Sequence, residues 1–191
     1  VTRMCLSSSF VFAFREVVAS GEPSMESLWE RYAHHLGIIV GTIKQGFDWH
    51  MEHHSRNSPE IVLDLFMHGP VERGLDMADG GVDIYRLNCD GVGLATVADS
   101  FAAVEQRVAR EKRLTWEELA RHLENNYEGA EPVRLMLKSI PRYGSGNSRA
   151  DWWAKRVADL YTDLMRGTPT AKGFTVIPGL FSHGIVYQLG K

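Results

Sequence analysis

The sequence predicts an α/β chain that is mostly helical, with few strands, and three observations predict it. After Ser24, the residues Met25, Leu28, Trp29, Tyr32, Leu36, Ile39, Ile43 and Phe47 recur at the spacing of one helix face. Capping pairs such as Thr115–Glu118 and Ser148–Asp151 stand just ahead of further apolar runs. One stretch, 173–187, alternates over strand length: Phe174, Val176, Pro178 and Leu180 share one face, and Thr175, Ile177, Gly179 and Phe181 the other. The chain has 191 residues, enough for one domain with a sizeable core.

Taken in order, residues 7–18 fit a short helix or a buried strand, and the pattern leaves both open. Gly21-Glu22-Pro23 breaks it. Ser24 caps the long helix, which is expected to reach about residue 54, with Gly37, Gly41 and Gly46 weakening its interior. Residues 55–59 are a break, and Glu60–His68 is expected as another helix. Gly69-Pro70, Gly74 and Gly80-Gly81 punctuate the middle, where Val82-Asp83-Ile84-Tyr85 alternates like a short strand. Gly91 and Gly93 break the chain again. Thr96 and Asp99 form a capping pair for a helix to about Lys112, with Phe101, Val104 and Val108 at helical spacing.

Thr115-Trp116-Glu117-Glu118 is a capping box whose helix ends near Asn125-Asn126. Glu131–Ser139 is a short helix. In Ile140–Asp151, Pro141 turns Ile140 away from helix, and Gly144, Ser145, Gly146 and Asn147 form a turn cluster. Ser148 then caps a long helix to Arg166, with Trp152, Trp153, Val157, Leu160, Tyr161 and Leu164 facing inward. In the last strand region Pro178 cannot donate a ladder hydrogen bond, and Gly179 lets a backbone or ligand come close.

Composition excludes several classes of function. The net charge is −3 and the basic residues are scattered, so no basic stripe for nucleic acid is present. No apolar run reaches the length of a membrane span. The apolar opening has only Arg3 before it and no evident cleavage site, which argues against a secretory leader. Cys5 and Cys89 have no CxxC partner, so neither a disulfide framework nor a zinc ribbon is indicated, and a reducing cytoplasm is the expected setting. The chain starts at Val1 and stops directly after an apolar segment, as a piece of a longer protein would.

Three constellations invite a chemical reading. His50, His53 and His54 lie with Glu52 near a helix end, with His34, His35 and His68 elsewhere, and His50 and His54 share a face at a spacing that suits a metal. The pattern is His-Met-Glu-His-His rather than His-Glu-x-x-His, and a third ligand such as His68 must come from another segment. A solvated histidine-rich helix end accounts for them as well. Cys5 and Cys89 read as structural, without an activating base in sequence. Ser182 and His183 are adjacent on a strand, so they point to opposite faces and do not make a nucleophile–base pair.

A set of short motifs carries more information. Gly80-Gly81 is followed by Gly93-Leu94-Ala95-Thr96, by Asp99-Ser100-Phe101-Ala102-Ala103-Val104, and by Arg142-Tyr143-Gly144 with Asp151. In order and spacing the chain resembles the pyruvate formate-lyase-like family of glycyl radical enzymes, over roughly residues 24–190. Two departures are Phe101, where leucine is usual, and the Gly144-Ser145-Gly146-Asn147 loop.

The resemblance implies a ten-stranded α/β barrel of two antiparallel half-barrels wrapped in helices, of which residues 1–191 are one partial domain. It implies a thiyl cysteine before Val1 and a glycyl radical loop beyond Lys191, so no catalytic residue is expected within the chain. The glycyl radical is implied to come from a separate S-adenosylmethionine-dependent iron–sulfur activase, with no cofactor bound directly and a homodimer in the full-length protein. Carbon–carbon lyase or radical elimination chemistry on a small organic substrate is implied, and the loop wording favours elimination. A late barrel strand lines the cavity in the family, which makes Thr175, Ile177, Pro178, Phe181 and Ser182 candidate substrate-binding residues. Arg3 falls near the position of a substrate-carboxylate arginine. The alternative is a non-catalytic helical binding module that uses His50, His53 and His54.

Overall fold

Three parallel strands, β1 (Thr2–Cys5), β2 (Leu87–Val92) and β3 (Val176–Phe181), form one sheet in the order β1-β2-β3. Parallel neighbours require long crossovers, and both crossovers here are helical. The first carries α1 (Leu6–Ala19), α2 (Met25–Asn57), α3 (Ile61–Asp64) and α4 (Pro70–Arg73). The second carries α5 (Leu94–Ala103), α6 (Trp116–Glu124), α7 (Glu131–Lys138) and α8 (Arg149–Gly167). The computed structural model describes residues 2–167 and 169–181.

Residues 7–18 are helix, because Leu6, Phe10, Ala13, Phe14 and Val17 bury one helical face. In α2, Ser24 accepts from the Ser27 amide, and the Ser27 hydroxyl completes the reciprocal cap. A Cβ on Gly37, Gly41 or Gly46 would meet nothing within 4 Å, so these glycines weaken the helix without shaping its packing. The caps at Thr115 and Ser148 form as expected. Trp152 does not turn inward: it is exposed, and the Arg149 guanidinium lies 3.8 Å from its ring centre.

Three expected elements are displaced. The helix expected over 60–68 is a single turn, α3. Ile61, Val62, Leu65 and Phe66 stay exposed, and Asp64 and Asp76 instead accept from the amides of Met77 and Glu60 across the loop. The strand expected at 82–85 does not form. Asp83 is held by Arg73, which also donates to the carbonyl of Gly81, and Ile84 is exposed. The strand lies at 87–92 instead, where Leu87, Cys89 and Gly91 are buried at alternate positions.

The third displacement is in α5, which starts at Leu94 behind Gly93 at φ 88°, not at a Thr96 cap, and widens into a π-helix over Val104–Arg110. Within the wide turn, Glu105 accepts from Arg149 Nε at 2.6 Å and Trp153 Nε1 at 2.7 Å. Burial opposes ionisation of this carboxyl, but the two donors outweigh it and lower its pKa.

The core centres on α5, which packs against α1 and α8. Phe101 is fully buried, edge-on to Phe10 at 4.8 Å and to Tyr32 at 5.3 Å, and stacked on Trp153 at 4.5 Å. A leucine there would forfeit these ring contacts, which accounts for one of the two motif departures. Among the described residues no helix is long and apolar enough to cross a membrane.

Candidate functional site

The two faces of the sheet differ in what covers them. In register, Cys89 sits between Thr2 and Pro178, and Gly91 between Met4 and Leu180. A Cβ on Gly91 would lie 3.1 Å from Tyr161 of α8 and 3.2 Å from Leu6 of α1, so this side faces the helices. Tyr161 Oη donates to the carbonyl of Cys89 at 2.6 Å and ties α8 to the central strand. Burial, then the neighbouring Cys89, pushes the Tyr161 phenol up, so it stays a donor.

The alternate positions form the open side. One row runs Arg3–Asp90–Gly179, and Asn88 pairs with Ile177 on the same side. Arg3 is exposed, and its guanidinium lies 5.1 Å from the centre of the Phe181 ring. Since β2 separates β1 from β3, the Arg3 side chain crosses the whole sheet to reach it. Ile177 and Phe181 stay 38% and 37% exposed, so the strand presents apolar surface on this side, with the cation over Phe181.

Of the residues singled out in sequence, Arg3 and Phe181 are therefore brought together, and Ile177 lies on the same face four residues before Phe181. Thr175 precedes β3, exposed, on the alternation of Ile177. Pro178 is not brought to them: it lies beside Cys89 on the helix side. Ser182 and His183 lie outside the described residues. Sequence reasoning missed Asp90 and Asn88, because Asn, Asp and Gly in succession read as a turn. The available signal was the run Leu87, Cys89, Gly91 with its two-residue period.

The motif loop is held by carboxylates. Asp99 accepts from Arg142 Nε and from the Tyr143 amide, each at 2.8 Å, so it is a loop anchor rather than a helix cap. Asp151 accepts from the Gly144 amide at 2.7 Å and the Ser148 amide at 2.9 Å, and these bonds hold its carboxyl below the usual aspartate range. A cavity of about 310 Å³ beside this loop is lined mainly by Phe10, Phe14, Leu123, Leu137 and Ile140.

The histidines do not converge. The rings of His50 and His54 lie 4.5 Å apart, but His53 stacks on Trp49 and its Nδ1 lies 2.8 Å from the Trp49 carbonyl. Burial, then His54, lowers the His50 pKa. Among the described residues no three histidine, cysteine or acidic side chains are grouped to hold a metal. Cys89 is buried, and burial raises its thiol. Cys5 is half-buried, with Sγ 3.1 Å from Ser7 Oγ. Burial raises its pKa, but hydrogen bonds with Ser7 and Ser8 outweigh this and lower it.

Known proteins share this fold. The chain is 25% identical over 161 residues to trans-4-hydroxy-L-proline dehydratase of Clostridioides difficile, covering 82% of this chain and 20% of that protein. It is 42% identical over 146 residues to isethionate sulfite-lyase of Oleidesulfovibrio alaskensis, covering 72% of this chain and 17% of that one. The B12-independent glycerol dehydratase of Clostridium butyricum, a glycerol-bound structure, superposes with a TM-score of 0.79 at 22% identity, covering 94% of this chain and 24% of that one. The chain thus spans about a fifth of the length of the curated relatives it matches. The pyruvate formate lyase-like family model matches residues 12–190, nearly the whole sequence, and the chain belongs to that family.

Proposed function

We propose that this chain is a segment of a glycyl radical enzyme, and that the open face of its sheet forms part of the wall of that enzyme's substrate cavity. The observation that carries this reading is the contact of Arg3 with Phe181 on the exposed sheet face that Ile177 shares, in a chain of this family. The full-length enzyme holds its thiyl cysteine before residue 1 and its glycyl radical loop beyond residue 191, inside a barrel to which these three strands contribute. The radical, installed by an S-adenosylmethionine-dependent iron–sulfur activase, supplies hydrogen-atom abstraction from the bound substrate. The enzyme works as a homodimer in the cytoplasm, with a small organic molecule as substrate.

Within this segment the residues bind and orient rather than react. Arg3 meets an anionic group of the substrate, and Phe181 keeps the guanidinium desolvated on one side, which strengthens its attraction for an anion. Ile177 supplies apolar wall, and Thr175 borders it at the strand entrance. Pro178 withholds an amide from the ladder and shapes the strand from behind, and Ser182 orients a polar group. The relatives named above act on trans-4-hydroxy-L-proline and on isethionate, both small, polar and hydroxylated. Elimination or bond-cleaving lyase chemistry on a substrate of that class is therefore the reaction assigned to the whole enzyme.

The test is anaerobic electron paramagnetic resonance. Full-length protein treated with its activase and S-adenosylmethionine is expected to give a protein-centred doublet, and residues 1–191 alone are expected to give none. A silent full-length protein, or a doublet from residues 1–191, would overturn the reading.

A further inference from the structure

The open face carries a carboxylate that neither the fold nor the proposed anion site uses. Asp90 is half-buried at the middle of β2, in the central row of the sheet. Gly179 faces it across the β2–β3 pair, and a Cβ on Gly179 would collide with Asp90 Oδ1. The carboxylate thus rests in the notch left by the missing side chain. Among the described residues it has no hydrogen-bond donor and no ion-pair partner. Arg3, its neighbour in register, is drawn to Phe181 instead, and the two do not pair.

A water-accessible carboxylate with no protein donor is free to accept a hydrogen bond from a ligand. Building on the substrate-cavity reading above, we infer that Asp90 selects a hydroxylated substrate. Its carboxylate accepts a hydrogen bond from a hydroxyl of a small organic anion whose charged end is met by Arg3. Arg3 and Asp90 then read the two ends of one ligand laid across the sheet. The Arg3 guanidinium lies over Phe181 at the end of β3 and Asp90 at the middle of β2, so one small ligand on this face can meet both. Gly179 is a positioning residue, since it provides the space in which the carboxylate sits.

The experiment uses the full-length enzyme, unactivated, and calorimetric binding of matched pairs that differ by one hydroxyl: hydroxyethanesulfonate against ethanesulfonate, and lactate against propionate. The parent is expected to prefer the hydroxylated member of at least one pair by about tenfold or more, the worth of one charge-assisted hydrogen bond. Asp90→Ala should bring that preference to within about twofold without weakening the deoxy ligand, since it removes a negative charge beside an anion. Gly179→Ala, which displaces the carboxylate without removing it, should do the same. Arg3→Ala should weaken both members of a pair alike. If Arg3→Ala weakens both members and Asp90→Ala leaves the preference intact, the assignment of Asp90 is wrong and the cavity reading stands. If the parent discriminates within no pair while Arg3→Ala still weakens binding, the assignment of Asp90 alone fails; if neither substitution changes binding, both fail together.

Discussion

Asp151 and Asp99 show how single side chains convert a glycine-rich loop into a fixed one. Each carboxylate accepts backbone amide hydrogens that have no helix to satisfy them, and Asp99 also takes the Arg142 guanidinium. Because Asp151 has a lowered pKa in the fold, its contribution is fully present above the ordinary aspartate value of about 4 and is lost as pH falls through the lower folded value. Asp151→Asn should therefore lower the melting temperature at neutral pH and flatten the acid limb. The gap from the parent should shrink below about pH 4. A constant gap from neutral to acid would show that the charge is not what holds the loop. Tyr161 acts on the sheet rather than on a loop: Tyr161→Phe removes the donor to the Cys89 carbonyl and should cost about 1–3 kcal/mol in denaturant unfolding.

At the scale of elements, the seat of α8 on the sheet depends on a missing side chain. Gly91→Ala places a methyl against Tyr161 and Leu6 at just over 3 Å in a packed layer, and should destabilise by about 1–3 kcal/mol. Gly37→Ala on α2 meets nothing, and should stabilise by about 0.5–1 kcal/mol, which makes it the matched control for backbone effects. Helices α2, α6 and α8 were readable in sequence because their signals are local. Ser24, Thr115 and Ser148 each satisfy amides within three residues of themselves. Strand β2 was not readable, since Asn88, Asp90 and Gly91 are turn-forming residues held extended by β1 and β3 on either side. The motif wording showed that Asp99 mattered, but its partners lie more than forty residues away, so its role as anchor emerged only with the fold.

At the scale of the whole molecule, the chain is unevenly finished. Ile61, Val62, Leu65, Phe66 and Val71 are each more than 60% exposed, an apolar concentration unusual for a free-standing domain. In isolation, residues 1–191 should self-associate with rising concentration in light scattering. Val62→Ser with Phe66→Ser should reduce this without loss of helical circular dichroism. Arg3, Ile177 and Phe181 were legible as candidates, yet their place on one face, with Arg3 over Phe181, depends on a register that no local pattern specifies. The most direct measurement is made on the full-length, activated enzyme carrying Ile177→Trp. If the open sheet face lines the substrate cavity, the glycyl radical doublet should keep its amplitude while KM rises about tenfold or more. An intact doublet with unchanged KM and kcat would place the substrate elsewhere.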